Sequence, residues 1–168
     1  LAFFVTGSRA VGFENEHSDY DCALVVKDEA FELYEHQFEA YEPEIETEVF
    51  TLETFRAHAA WGSDLTWDRY SWAHAAADPD KSGGIIQQIA DEKGRVPAVH
   101  AESFIEASLD WYVNQVFRSL KCLRAGDTTG QRLEAAESIR PMLQALFCLR
   151  ERRVLPYYKY LAWELENF

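Results

Sequence analysis

The first hundred residues alternate between short apolar runs and polar segments in a pattern that predicts a small sheet. Three segments fit β-strands: residues 1–5, 19–26 and 44–50. The first is continuously apolar, as in a strand covered on both faces, and the second begins with acids before it turns apolar. The third alternates strictly, which places three glutamates on one face.

Helical spacing dominates the rest of the chain. The predicted helices cover 28–41, 51–60 and 84–93, followed by three or more helices from about residue 102. Pro43 is predicted to stop the first of them and Thr51 to cap the second. Asp78-Pro79-Asp80 predicts a turn, whereas residues 67–77 fit either a helix or a strand with a turn. Pro141 predicts a kink or a restart, and Pro156 predicts the start of the last helix.

This order predicts a mixed α/β (α+β) fold in two parts. A small mixed-sheet domain is expected over residues 1–100, and an α-helical bundle domain over residues 101–168. Their charges differ, because the first part holds 7 Lys and Arg against 20 Asp and Glu, whereas the second holds 9 of each. Both ends of the sequence fall inside predicted elements, so we expect a longer parent chain.

Composition narrows the functional classes. The 168 residues carry 16 Lys and Arg against 29 Asp and Glu, a formal net charge of −13, which disfavours binding to nucleic acid through its phosphates. No apolar run is long enough for a transmembrane helix, so no membrane partner is expected. Cys22, Cys122 and Cys148 show no C-x-x-C spacing, which predicts reduced thiols and a cytoplasmic location.

Two acids at the start of the second predicted strand are the first candidates for chemistry. Asp19 and Asp21 are two residues apart, so they point to the same face of a strand. Like charges held close together repel, and a hard divalent cation such as Mg²⁺ is their usual compensation. Because Mg²⁺ keeps open positions for phosphate oxygens, the pair predicts a nucleoside triphosphate as ligand.

A glycine–serine pair and a third acid complete the candidate site. Gly7 and Ser8 follow the first strand, where a glycine lets backbone N–H groups approach a phosphate, and Arg9 adds a cation. A third acid is expected from the alternating strand as a general base, a metal ligand or both. The middle of that strand favours Glu46 or Glu48 over Glu44, and periodicity does not choose between the two.

These segments resemble the signature of the polymerase-beta-like nucleotidyltransferase superfamily. The resemblance lies in Thr6-Gly-Ser-Arg-Ala-Val-Gly12, in Ser18-Asp-Tyr-Asp21 and in an acid on a later strand. An acidic α/β part before a helical part is similar to the small-molecule branch, which includes aminoglycoside nucleotidyltransferases. The motif covers residues 6–50, and a glutamate stands where aspartate is commoner at the third acid.

The resemblance implies an enzyme that transfers a nucleoside monophosphate, commonly AMP from ATP, to a hydroxyl group with release of pyrophosphate. It implies Asp19 and Asp21 as ligands of two Mg²⁺ ions, Gly7 and Ser8 as nucleotide contacts, and it favours Glu48 narrowly over Glu46. Ser18 and Lys159 are further candidates for nucleotide binding, the latter from the helical domain.

The acceptor and the oligomeric state stay open. The acidic first part favours a cationic small-molecule acceptor such as an aminoglycoside. The alternatives are an enzyme that modifies a partner protein, as in toxin–antitoxin pairs, and a nucleotide-binding relic without turnover. A homodimer is one of the oligomeric states to be tested.

Overall fold

A computed structural model describes residues 1–38, 44–62 and 66–168, and its sheet is mixed. The strands are β1 (Ala2–Val5), β2 (Tyr20–Val26), β3 (Ile45–Thr51) and β4 (Ala77–Asp80). They lie in the order β3-β2-β1-β4. β1 pairs antiparallel with β2 and with β4, whereas β2 and β3 are parallel. The chain is therefore a mixed α/β protein, as the sequence predicts.

Five helices accompany the sheet in the described part of residues 1–95. They are α1 (Gly7–Ala10), α2 (Phe31–Phe38), α3 (Leu52–Ala59), α4 (Thr66–Ser71) and α5 (Ile85–Lys93), and a 3-10 turn over Asp28–Ala30 precedes α2. Thr51 caps α3 as predicted, since its side chain accepts a hydrogen bond from the Thr54 backbone N–H at 3.1 Å. The predicted end of the 28–41 helix and its stop at Pro43 lie outside the described residues.

The aromatic core of this part lies between the sheet and its helices. Phe4 of β1, Phe55 of α3 and Trp72 after α4 are buried, with ring centres 5.2 to 5.9 Å apart. Ile86 of α5 completes the same cluster. These contacts hold α3 and the end of α4 against the first two strands, which carry the candidate site.

One predicted turn is a strand. Residues 78–80 belong to β4, which pairs with β1 at the edge of the sheet. Proline is compatible with an edge strand because one side of that strand needs no backbone N–H for pairing. The turn prediction was therefore wrong. Asp-Pro-Asp is typical of turns but also fits an edge strand, and only the pairing with β1 distinguishes a turn from a strand here.

The chain divides into two compact units, Leu1–Arg95 and Val96–Phe168. The second holds α6 (Ala98–Arg124), α7 (Thr128–Leu149) and α8 (Leu161–Glu166), with a 3-10 turn over Tyr158–Tyr160. Of the predicted kink or restart at Pro141, the restart was wrong, since α7 runs through the buried proline, and the kink stays a prediction. Across the described ranges of the chain, no helix is long and apolar enough to cross a membrane.

Candidate active site

The pairing of β2 with β3 brings acids of both strands to one face of the sheet. Asp21 lies opposite Glu46 in the parallel register, and Ala23 lies opposite Glu48. Residues paired across two strands point to the same face, as do residues two apart on one strand. Asp21, Glu46 and Glu48 therefore share a face, although 25 residues of chain separate the first two.

The Asp21 carboxylate lies directly against the backbone of Gly7. Thr6 fixes this approach, because its backbone N–H donates to the Asp21 carbonyl at 2.8 Å and its hydroxyl donates to the same oxygen at 3.3 Å. Gly7 has a φ of +64°, and a Cβ atom added there would lie 2.0 Å from Asp21 Oδ2. Only glycine leaves room for the carboxylate at this position.

A cavity of about 140 Å³ opens beside these acids. It is lined by Thr6, Asp21, Cys22, Glu46, Glu48, Asp68, Ser71 and Trp72. The last three come from α4 and the residue after it, so this segment forms the wall facing the strands. The cavity thus gathers four carboxylates from three separate parts of the sequence.

Asp68 is the member that the sequence analysis missed. Its Oδ2 accepts a hydrogen bond from Lys93 Nζ at 2.6 Å and lies 3.5 Å from His58 Nε2. The Lys93 side chain is fully buried, and its ammonium group also donates to the His58 carbonyl at 3.2 Å. An ion pair from α5 therefore holds the Asp68 carboxylate at the cavity wall.

Arg69 anchors α4 so that Asp68 reaches the cavity. Its guanidinium donates to the carbonyls of Lys93 at 3.0 Å, Ala59 at 3.1 Å and Ala60 at 2.6 Å. These bonds tie α4 to the ends of α3 and α5. Neither Asp68 nor Lys93 stands in a motif, and adjacent opposite charges such as Asp68-Arg69 are common on solvated helices, so the sequence carried no usable signal for them.

The gathered carboxylates change the titration of Glu48. Partial burial raises the pKa of Glu48 above its ordinary value, and the negative charges of Asp68, Glu46 and Asp21 raise it further, against an opposing effect of Lys93. Burial also raises the pKa of the Cys22 thiol, and Asp21 adds to that shift. The electrostatic environment is therefore one that a bound cation would stabilise.

The loop before β2 holds the other predicted acid. Asp19 is exposed and is not among the cavity-lining residues. The Arg9 guanidinium donates to the carbonyls of Asp19 at 2.9 Å and Ser18 at 2.6 Å, and it stacks 3.7 Å from the centre of the Tyr20 ring. The Ser18 hydroxyl accepts a hydrogen bond from the Asn15 backbone at 2.9 Å. Arg9 thus ties α1 to the segment that carries both aspartates.

The remaining candidates occupy different environments. Ser8 is buried in α1, where its carbonyl accepts a hydrogen bond from the Phe13 N–H at 2.9 Å. Glu44 is exposed just before β3. Lys159 is exposed in the second unit, with its ammonium nitrogen 5.0 Å from the centre of the Tyr160 ring. Neither Ser8 nor Glu44 lines the cavity.

The carboxylate oxygens of this cavity suit a hard cation such as Mg²⁺ whose other ligands are phosphate oxygens and water. Across residues 1–38, 44–62 and 66–168, no three or more His, Cys, Asp or Glu side chains are grouped so that they could hold a metal ion by themselves. Mg²⁺ often takes only one or two protein carboxylates and completes its shell with phosphate oxygens and water. Asp21 beside Glu46 fits that second kind of site.

The chain matches no protein-family model and no curated protein. The resemblance to the polymerase-beta-like nucleotidyltransferases therefore stays a prediction from the motif residues.

Proposed function

We propose that this protein is a magnesium-dependent nucleotidyltransferase that moves AMP from ATP to a hydroxyl group of a small molecule. One observation carries the proposal: the Asp21 carboxylate lies against the Gly7 backbone and beside the in-register Glu46, in a cavity that Glu48 also lines. The resemblance implies that the glycine of the first motif, an acid of the second motif and an acid of the later strand belong to one site. Gly7, Asp21 and the acids Glu46 and Glu48 meet that expectation.

Asp21 is the principal residue for holding magnesium, because its carboxylate lies in the cavity. Asp19 is the second ligand that the resemblance implies. Magnesium held by these carboxylates would supply positive charge against the phosphate oxygens during the transfer. Gly7 contributes by its missing side chain, which keeps the Asp21 carboxylate close to the backbone at the end of β1.

Glu48 is the proposed general base. A carboxylate with a raised pKa is a better proton acceptor, and Glu48 is the described acid of this cavity whose pKa is shifted upwards. In the proposed step, the acceptor hydroxyl gives its proton to Glu48 as its oxygen bonds to the α-phosphorus. The bond from that phosphorus to the pyrophosphate oxygen breaks, and pyrophosphate leaves.

The acceptor that we propose carries positive charge. Four carboxylates line the cavity, and Lys93 is the cation paired with one of them. A hydroxyl compound that also bears ammonium groups would be drawn to such a site and held there by the carboxylates that do not bind magnesium.

The test is incubation with Mg²⁺, each α-labelled nucleoside triphosphate in turn, and a panel of hydroxyl compounds that includes aminoglycosides. We expect pyrophosphate release and transfer of label to a small molecule. Asp21→Asn should reduce both to background without a change in the folded spectrum.

The matched control is Asp110→Asn, an exposed acid of α6 in the second unit. It should keep wild-type activity. Full activity in Asp21→Asn, or no magnesium-dependent use of any nucleotide by the wild type, would contradict the proposal. Label found on a protein instead of a small molecule would contradict the proposed acceptor alone.

A further inference from the structure

The two long helices of the second unit carry large apolar side chains on their outer surface. In α6 these lie at 109, 113, 116, 120 and 123, and in α7 at 139, 142, 146 and 149. All but Val116 are exposed, between 38% and 66% of each side chain. Spacings that alternate between three and four residues are the pattern by which helices pack along one another in coiled coils and four-helix bundles.

The two helices bury different kinds of residues. The buried residues of α6 are Ser108, Gln115 and Ser119, whereas α7 buries Leu143 and Phe147 as well as Ser138. The Ser119 hydroxyl donates to the Gln131 carbonyl at 3.0 Å across the pair. The fold of this unit therefore covers Leu143 and Phe147 but leaves the stripe residues exposed.

Both apolar stripes lie on the same side of the hairpin. Each residue of an α-helix is rotated by about 100° from the one before it. Around the axis of α6, the stripe therefore lies roughly a quarter turn beyond the residues that face α7. Around the axis of α7, the stripe lies roughly the same angle beyond the residues that face α6. The contacts of Arg118 with Glu134 and of Cys148 with Ala101 show that the helices are antiparallel. Quarter turns in the same sense bring stripes on antiparallel helices to one common side.

The common side is large enough for a stable protein interface. The exposed parts of the eight aliphatic side chains add up to several hundred Å² of apolar surface, which approaches the roughly 800 Å² that one partner contributes to an interface of standard size. A typical monomer has a largest apolar patch of roughly 300–600 Å².

We propose that this surface, the outer face formed by the α6 and α7 stripes, binds the same surface of a second copy of the chain to form a four-helix bundle. The side of the hairpin that carries the stripes has no second layer among the described residues, and a second copy supplies stripes of matching length and spacing. The unit Val96–Phe168 holds 9 Lys and Arg and 9 Asp and Glu, so the two copies of this unit carry no net charge against each other. This inference is independent of the proposed chemistry in the first unit.

The experiment is sedimentation of the 168-residue chain from nanomolar to high-micromolar concentration. The monomer mass is 19.4 kDa, and we expect the wild type to reach twice that mass. Leu120→Glu and Leu146→Glu each place a charge on the outer face, in both copies of a symmetric dimer. Each should raise the dimer dissociation constant at least about 100-fold, because the charges would be buried without partners.

The matched control is Leu133→Glu, which changes another exposed leucine of α7, at 63% exposure, that lies roughly 120° to 180° around the helix from the stripe residues. It should leave dimerisation unchanged, and circular dichroism should report the same helix content in all variants. A wild type that stays monomeric throughout overturns the proposal, even if the face binds a hydrophobic dye or another protein. A dimer that survives both stripe variants, or that is lost equally in Leu133→Glu, overturns it as well.

Discussion

Replacing Gly7 with alanine tests the contact on which the candidate site depends. Gly7 has a φ of +64°, and the added Cβ would lie 2.0 Å from Asp21 Oδ2 and 3.0 Å from its Cγ. Gly12, in the turn after α1, offers a matched control, because its φ is +74° and a Cβ there meets nothing within 4 Å. The two variants share the backbone strain and differ in the collision with Asp21.

The expected effects on stability are similar. Left-handed backbone costs a residue with a Cβ about 1–2 kcal/mol, and both variants incur it. In Gly7→Ala the carboxylate oxygen must also move by about 1.4 Å, from 2.0 Å to an ordinary contact of 3.4 Å. An acidic side chain can rotate away at a cost of about 0.5–1.5 kcal/mol, so the variants should differ by little more than that.

The expected effects on activity differ sharply. Misplacement of a reacting group by about 1 Å can cost about 100-fold in rate, so Gly7→Ala should lose at least that much magnesium-dependent pyrophosphate release. Gly12→Ala should stay within a few-fold of the wild type. Urea denaturation measures the stability of both variants beside the activity assay. Full activity in Gly7→Ala, or an equal loss in Gly12→Ala, would refute the importance of this contact.

Two further predictions concern charged groups around the cavity. Glu48→Gln should lower transfer by about 10²- to 10⁴-fold as expected for loss of a general base. It should also raise the melting temperature at neutral pH, because the folded protein then no longer holds an ionised carboxylate whose pKa is raised above the ordinary value of 4.5. The gain should disappear as the pH falls below that value. Glu35→Gln, at an exposed glutamate of α2 that does not line the cavity, is the control variant. Asp68→Asn should cost about 3–5 kcal/mol by removing the carboxylate from the fully buried Lys93 ammonium, and Lys93→Met should cost less because Asp68 still reaches solvent. Urea denaturation of the double variant should give less than the summed loss, and strict additivity would show that the two groups do not interact.

Local patterns in the sequence determined most of the elements near the site. The alternation of residues 44–50 predicted β3, and Thr51 predicted the start of α3. Such features depend on side-chain periodicity and on caps that act within a few residues, so they can be recognised without knowledge of the fold. The spacing of Gly7 from Asp21 likewise identified two residues that the structure brings into contact.

Tertiary structure decided which acids meet. The parallel register placed Asp21 opposite Glu46, and periodicity could not supply it because a shift by two residues preserves the same faces. Asp68 joined the cavity through Lys93, which is 25 positions away in the sequence. Residues 78–80 form a strand because they pair with β1.

The second unit shows the same division between sequence and structure. The sequence determined that α6 and α7 are amphipathic, since apolar spacing is a property of each helix alone. Which side of each helix turned inward was decided by packing: α6 buries Ser108, Gln115 and Ser119, α7 buries Leu143 and Phe147, and the stripe residues remain outside. Periodicity defines a face, but only the free energy of packing against a particular neighbour determines what that face will contact.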